Sequence, residues 1–254
     1  MRLILKNIIW LTVHGFIMNP AFSQGMTAAD IVMKADEKFN GEKSSYSIIS
    51  MTIVRPSWQR TIDIKTWSMG RDYSLALVTA PPKEAGQSFL KRGSEMWSWI
   101  PSISRLVKLP LSMMSQGWMG SDYTNDDILR ESSLVNDYLH EIAGEEIIDG
   151  RLCYKISMKA RPDASIVWGR QTRWIDRKDF LVLKAELYDE DGYLVRTETA
   201  SDIRIMDGRT VTTRIELVPA EEPGNKTILV IRDIKFNLPL GESFFSQQNM
   251  KRVR

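Results

Sequence analysis

Apolar and polar residues alternate with a period of two over most of this chain, and that alternation confines it to a sheet. Ile49, Met51 and Ile53 alternate with Ser50 and Thr52, and Leu152, Tyr154, Ile156 and Met158 with Cys153, Lys155, Ser157 and Lys159. The same texture runs through Leu181, Leu183, Ala185 and Leu187, through Val211, Thr213, Ile215 and Leu217, and through Ile228, Val230, Ile234 and Phe236. Successive side chains of a strand point to opposite faces, so each segment offers one apolar face and one polar face. Further extended runs lie at 59–69, 73–79, 86–92 and 95–100, and Gly70-Arg71-Asp72, Gly93-Ser94, Asp191-Gly192, Asp207-Gly208 and Pro223-Gly224-Asn225 are turn sequences. Counted with the basic stretch Arg105-Leu106-Val107-Lys108 and an extended run starting near His140, these runs give roughly eleven short strands at near-regular spacing, the pattern of a meander or barrel and not of βαβ units. A flat open sheet does not accommodate so many strands, so the sheet is expected to curl, with one side wet.

The N-terminus reads differently. Arg2 and Lys6 precede an apolar run reaching Met18, and Pro20-Ala21-Phe22-Ser23 puts small residues at the −3 and −1 positions of a cut after Ser23. This is the order of a secretory signal peptide over residues 1–23, and the run is short for a bilayer span. No Cys follows it, so the acylated cysteine of a lipoprotein is not expected. Of the 34 Lys and Arg side chains, Arg2 and Lys6 leave with the leader, and 32 remain against 32 Asp and Glu. That balance argues against nucleic acid as a partner. Residues 24–254 read as a single domain. Cys153 is the only cysteine, so stability must come from the core, and a buried inert thiol fits its apolar surroundings.

Two segments depart from the strand pattern. Residues 27–39 have helical spacing, with Ile31, Ala35 and Phe39 on one face and the capping-box pair Thr27 and Asp30 at the start. Pro110 to Tyr138 form a long insertion. It carries Met113, Met114, Trp118, Met119 and Tyr123, followed by a stretch from Asn125 to about Val135 that reads as helical with acids at its start. Long connections inside compact domains are commonly functional lids, and soft Met side chains suit variable greasy ligands.

Little in the sequence supports catalysis. His140 is the sole histidine after the leader, which leaves no His-based triad and no multi-His metal site. Asp122, Asp126 and Asp127 could act as paired carboxylates or bind a divalent ion, but their position before a helix favours capping. No phosphate-binding Gly loop is present. No cofactor and no metal are expected. Trp97 and Trp99 lie two apart and so share one face of a strand, and Trp67 and Trp118 add apolar surface. These aromatics either fill a core or line an apolar groove.

Glu95-Met96-Trp97-Ser98-Trp99-Ile100-Pro101, then Arg105, then Ser115-Gln116-Gly117-Trp118-Met119-Gly120-Ser121-Asp122-Tyr123-Thr124-Asn125-Asp126-Asp127 resemble the outer-membrane lipoprotein-sorting protein family, LolA-like periplasmic proteins often associated with resistance-nodulation-division (RND) exporters. The resemblance implies a mainly β (α+β) fold, a half-open, strongly curled antiparallel β-barrel with helices covering its concave face. It further implies a soluble periplasmic carrier, not an enzyme, that holds the acyl chains of a lipid or lipoprotein in an apolar groove. The alternative it leaves open is an accessory or sensor module docking on an inner-membrane RND-type transporter. Trp67, Trp97, Trp99, Met113, Met114, Trp118, Met119 and Tyr123 are the expected groove or lid residues. Asp122 is expected to fix the loop or contact a headgroup. A 16-carbon chain gains roughly 12 kcal/mol on leaving water, so a lipid needs a carrier to cross an aqueous compartment.

Overall fold

Two Asp-Gly turns show how locally the sheet is specified. Asp149-Gly150 (φ 49° and 75°) joins Tyr138–Ile148 to Arg151–Ala160, and Asp207-Gly208 (φ 48° and 78°) joins Leu194–Met206 to Arg209–Pro219. Both residues of such a turn take positive φ, which matches the right-handed twist of the strands they connect. The computed structural model describes residues 25–40, 43–129, 133–164 and 166–254. The expected leader, residues 1–23, lies outside them.

The strands are β1 (Ser44–Arg55), β2 (Trp58–Met69), β3 (Tyr73–Ala80), β4 (Ser88–Arg92), β5 (Glu95–Ile100), β6 (Arg105–Lys108), β7 (Tyr138–Ile148), β8 (Arg151–Ala160), β9 (Arg170–Asp176), β10 (Val182–Tyr188), β11 (Leu194–Met206), β12 (Arg209–Pro219) and β13 (Lys226–Phe236). They form one curled antiparallel sheet in the order β6-β5-β4-β3-β2-β1-β13-β12-β11-β10-β9-β8-β7. The sheet is open, because β6 and β7 are its two edges and do not pair. The expected count of about eleven is corrected to 13 strands among the described residues. The two additions are β9 and β11. Their inward positions carry Gln171, Arg173, Arg196 and Glu198 in place of apolar residues, so period-two alternation is invisible there.

Because β6 and β7 are opposite edges, the connection between them must cross the sheet, and it does so over the inner face. Met114, Trp118 and Tyr123 from this connection are buried against Met51, Ile53, Ile62, Ile64, Phe89 and Met96. Phe89 and Trp118 stack with ring centroids 5.1 Å apart. Burying a side chain of that size is worth about 1.5–3 kcal/mol, so the connection is held as core. The helix expected over 125–135 is shorter: α2 spans Asn125–Leu129, and residues 134–136 form a turn. There the Asp137 carboxylate accepts from Ser133 N at 2.9 Å and His140 Nε2 meets Leu134 O at 2.6 Å. These contacts bend the chain into β7.

α1 (Ala28–Asn40) opens with the expected capping box: Asp30 N donates to Thr27 Oγ1 at 3.2 Å and Thr27 N to Asp30 Oδ2 at 3.0 Å. Its face of Ile31, Val32 and Ala35 packs on Tyr138, Ile156, Met158 and Ile175. The outer face near β2–β6 has its own cover. Leu75, Leu90 and Trp97 pack under Phe245 and Met250 of the C-terminal segment, which includes α3 (Gln247–Met250). Phe89 and Leu90 are neighbours on β4 yet belong to different clusters, as strand geometry requires of residues on opposite faces. Among the described residues no helix is long and apolar enough to cross a membrane.

Candidate functional site

Over β9–β12 the inner face is incompletely covered, and a cavity of about 290 Å³ remains between the sheet, α1 and the residues Tyr123, Asp126, Asp127 and Leu134. Register sets what each strand contributes. Arg173 on β9 lies opposite Ala185 on β10, which lies opposite Glu198 on β11; one row along, Gln171, Leu187 and Arg196 line up in the same way. Apolar lining comes from Val32 and Ala35 of α1, from Leu134 and Phe180, and from Ile175 and Ile215 of the sheet.

The polar end is organised around Arg196, which is 3% exposed. Its Nη1 donates to Asp127 Oδ2 at 2.6 Å and to Asp122 O at 3.1 Å, and its Nη2 meets Glu198 Oε1 at 2.8 Å. Its guanidinium carbon sits 4.5 Å from the Trp168 ring centroid and 5.5 Å from that of Tyr123. Burial works against the charge of Arg196, but Glu198 and Asp127 outweigh it and hold the guanidinium above its ordinary pKa. Asp127 is the matching acid. Burial opposes its charge as well, yet Arg196 and hydrogen bonds from Thr124 keep its carboxyl below the usual value. Thr124 N and Oγ1 donate to Asp127 Oδ2 at 2.7 and 2.8 Å, and Asp127 N donates back to Thr124 Oγ1 at 3.1 Å. This is a second capping box, and it fixes the start of α2 over the sheet.

Tyr138 Oη donates to Trp168 O at 3.2 Å and accepts from Gln171 Nε2 at 2.7 Å; burial raises its phenol to about 12, against the opposing pull of the Gln171 hydrogen bond. Trp168 Nε1 donates to Asp127 Oδ1 at 3.1 Å. Arg173 differs from Arg196. Its hydrogen bond among the described residues runs from Nε to Gln171 Oε1 at 2.9 Å, and no ion pair meets its two terminal nitrogens. Burial accordingly lowers its pKa, the direction expected of a cation taken from water with no carboxylate in contact.

The residues expected from sequence fall into two sets on opposite faces. Met114, Trp118, Met119 and Tyr123 lie on the inner face, and Tyr123 alone of the expected set lines the cavity. Met113 is half-buried at the loop's start, and its carbonyl accepts from Asn125 Nδ2 at 2.8 Å. Trp67, Trp97 and Trp99 belong to the outer cluster beneath the C-terminal segment. Asp122 is taken up by Arg55 at 2.8 and 3.1 Å and by Thr227 Oγ1 at 2.6 Å, which ties the loop to β1 and β13. The loop itself folds back through Met119 (φ 51°) and Gly120 (φ 76°), and a Cβ at Gly117 would lie 2.9 Å from Ser121 O. Arg60 reinforces the turn by donating to the carbonyl of Met119.

The sequence reading missed Arg173, Arg196, Glu198, Gln171 and Trp168. The available signal was a conflict: two Arg-rich extended stretches, Arg170–Asp176 and Leu194–Met206, sit among amphipathic strands yet lack an apolar face. Among the described residues no group of three or more His, Cys, Asp or Glu could hold a metal ion.

A family model described as "Uncharacterized protein" matches residues 70–252. No curated protein matches the chain. Solved structures do. A DUF1329 family protein from Desulfovibrio piger is 25% identical, with a TM-score of 0.80 over 88% of this chain and 97% of that one. A structure described as an outer membrane lipoprotein-sorting protein domain, from Vibrio parahaemolyticus, is 20% identical, with a TM-score of 0.79 over 89% and 98%. A LolA superfamily protein from Nitrosomonas europaea is 26% identical, with a TM-score of 0.76 over 88% and 99%. The chain belongs to the family of the matching model, and its fold and relatives make it a LolA-like protein.

Proposed function

We propose that this protein is a carrier of acyl chains, which it takes up in the cavity between the inner face of β9–β12 and α1. The observation that carries the reading is the cavity itself, partly covered by α1 and Leu134 and lined mainly by apolar side chains. The LolA-like fold supports it. A cavity of this kind on a curled sheet suits a flexible hydrocarbon, because apolar burial has no directional demands. Loading and release would move α1 and the segment around Leu134, which cover the cavity without belonging to the sheet. The chain would work in the periplasm after its leader is removed at about Ser23, with acyl chains of a lipid or lipoprotein as cargo. The transporter-docking alternative has no support in the comparisons.

The test is displacement of a fluorescent fatty acid from the purified mature chain. Saturable uptake of one probe per protein, reversed by unlabelled acyl lipid, is the expected result. An absence of saturable uptake by a folded protein would exclude the carrier reading.

A further inference from the structure

The polar end of the cavity is rich in hydrogen-bond donors that have no acceptor. Arg173 lines it with both terminal nitrogens free of ion pairs and hydrogen bonds among the described residues. Tyr123 Oη and Arg196 Nε, on two further lining residues, are buried without hydrogen-bond partners. Of the four carboxylates lining the cavity, Asp127 and Glu198 pair with Arg196 and Asp36 with Arg71, and the buried Asp126 has an interaction of its own. Arg173 is only partly buried, yet a cation in an apolar cavity without a counter-ion is costly. An anion there would supply the acceptors that its terminal nitrogens lack, whereas Tyr123 Oη and Arg196 Nε have almost no surface open to a ligand. A planar guanidinium with two free nitrogens suits a carboxylate or phosphate in bidentate geometry.

Size restricts the remainder of the ligand. A methylene occupies about the volume of a water, roughly 30 Å³, so about 290 Å³ holds a single chain of about ten carbons. We propose that the cavity selects a single-chain anionic amphiphile, with its carboxylate or phosphate head on Arg173 and its chain against Val32, Ala35, Ile175 and Ile215. This rests on the carrier reading and narrows it to a single-chain cargo.

The experiment compares decanoate, decyl phosphate and decanol, three ligands with one chain length, by calorimetry on the mature wild-type protein at pH 7.5. The expected result is that both anions bind at least tenfold more tightly than decanol, while inorganic phosphate alone gives no measurable heat. Which anion binds more tightly separates a fatty-acid cargo from a phospholipid-type one. Arg173→Met should bring the anions down towards the affinity of decanol, and Arg173→Lys should keep part of the preference. If decanol binds as tightly as decanoate to the wild type, the headgroup site is overturned and the carrier reading survives. If none of the three binds to folded protein, the carrier reading falls as well.

Discussion

Arg196 on the inner face of β11 grips Asp127 at the start of α2, Nη1 to Oδ2, at 2.6 Å, and this contact ties the connection crossing the sheet to the wall of the cavity. Both side chains are nearly buried, and Arg196 keeps Glu198 when Asp127 is neutralised. Asp127→Asn should therefore lower stability by about 1.5–3 kcal/mol, the worth of a hydrogen bond to a charged group, in urea unfolding at pH 7. Its pH dependence has a definite sign. The folded carboxyl has a lowered pKa, so its contribution is full above the unfolded value of about 3.9 and is lost as pH falls through the folded value. The stability gap between wild type and Asp127→Asn should be widest near neutrality and shrink in acid as the pH falls through the lowered folded value.

Asp122 secures the same connection from its other side through Arg55 and Thr227. Asp122→Ala leaves the Arg55 guanidinium, 14% exposed, without its carboxylate. The expected cost is about 3 kcal/mol by thermal or chemical unfolding. Thr227→Val removes one hydrogen bond to the same carboxylate and should cost about 1.5 kcal/mol.

The outer aromatic cluster is a separate structural unit. Phe245 is fully buried against the outer face, so Phe245→Ala should cost about 3–5 kcal/mol. Acyl-chain affinity at a temperature where the variant is folded should stay within twofold of wild type. A large loss of affinity there would place the greasy site on the outer face with Trp97 and Trp99.

Cys153 has no exposed surface, and burial pushes its thiol up to about 11. It should resist Ellman's reagent at pH 8 in the native protein and react fully after unfolding. Reaction at the rate of a free thiol in native buffer would contradict its placement in the core.

The alternating strands, the Asp207-Gly208 turn and the Thr27–Asp30 capping box were legible in the sequence because each is set by a few adjacent residues. β9 and β11 were not, because Arg173, Arg196 and Glu198 occupy inward positions where a core strand would carry apolar residues. Two of the four strands that wall the cavity, β9 and β11, are therefore illegible in the sequence. Trp97 and Trp99 were correctly read as sharing a face. Which face depends on the C-terminal segment, whose Phe244, Phe245 and Met250 cover them from more than a hundred residues away in sequence. Likewise, the Met-rich stretch reads as a mobile lid from composition. Its burial as core follows from β6 and β7 being opposite edges of the sheet, a relationship that strand spacing does not encode.

Native mass spectrometry of the protein purified from cells that produce it, with the bound material extracted and identified, tests acyl-chain carriage most directly. The expected spectrum shows one lipid per protein molecule, lost in Ala200→Trp, which places a bulky ring on a cavity-lining position of β11. A folded wild-type protein that carries no lipid, and takes up none when decanoate is added, would contradict the account.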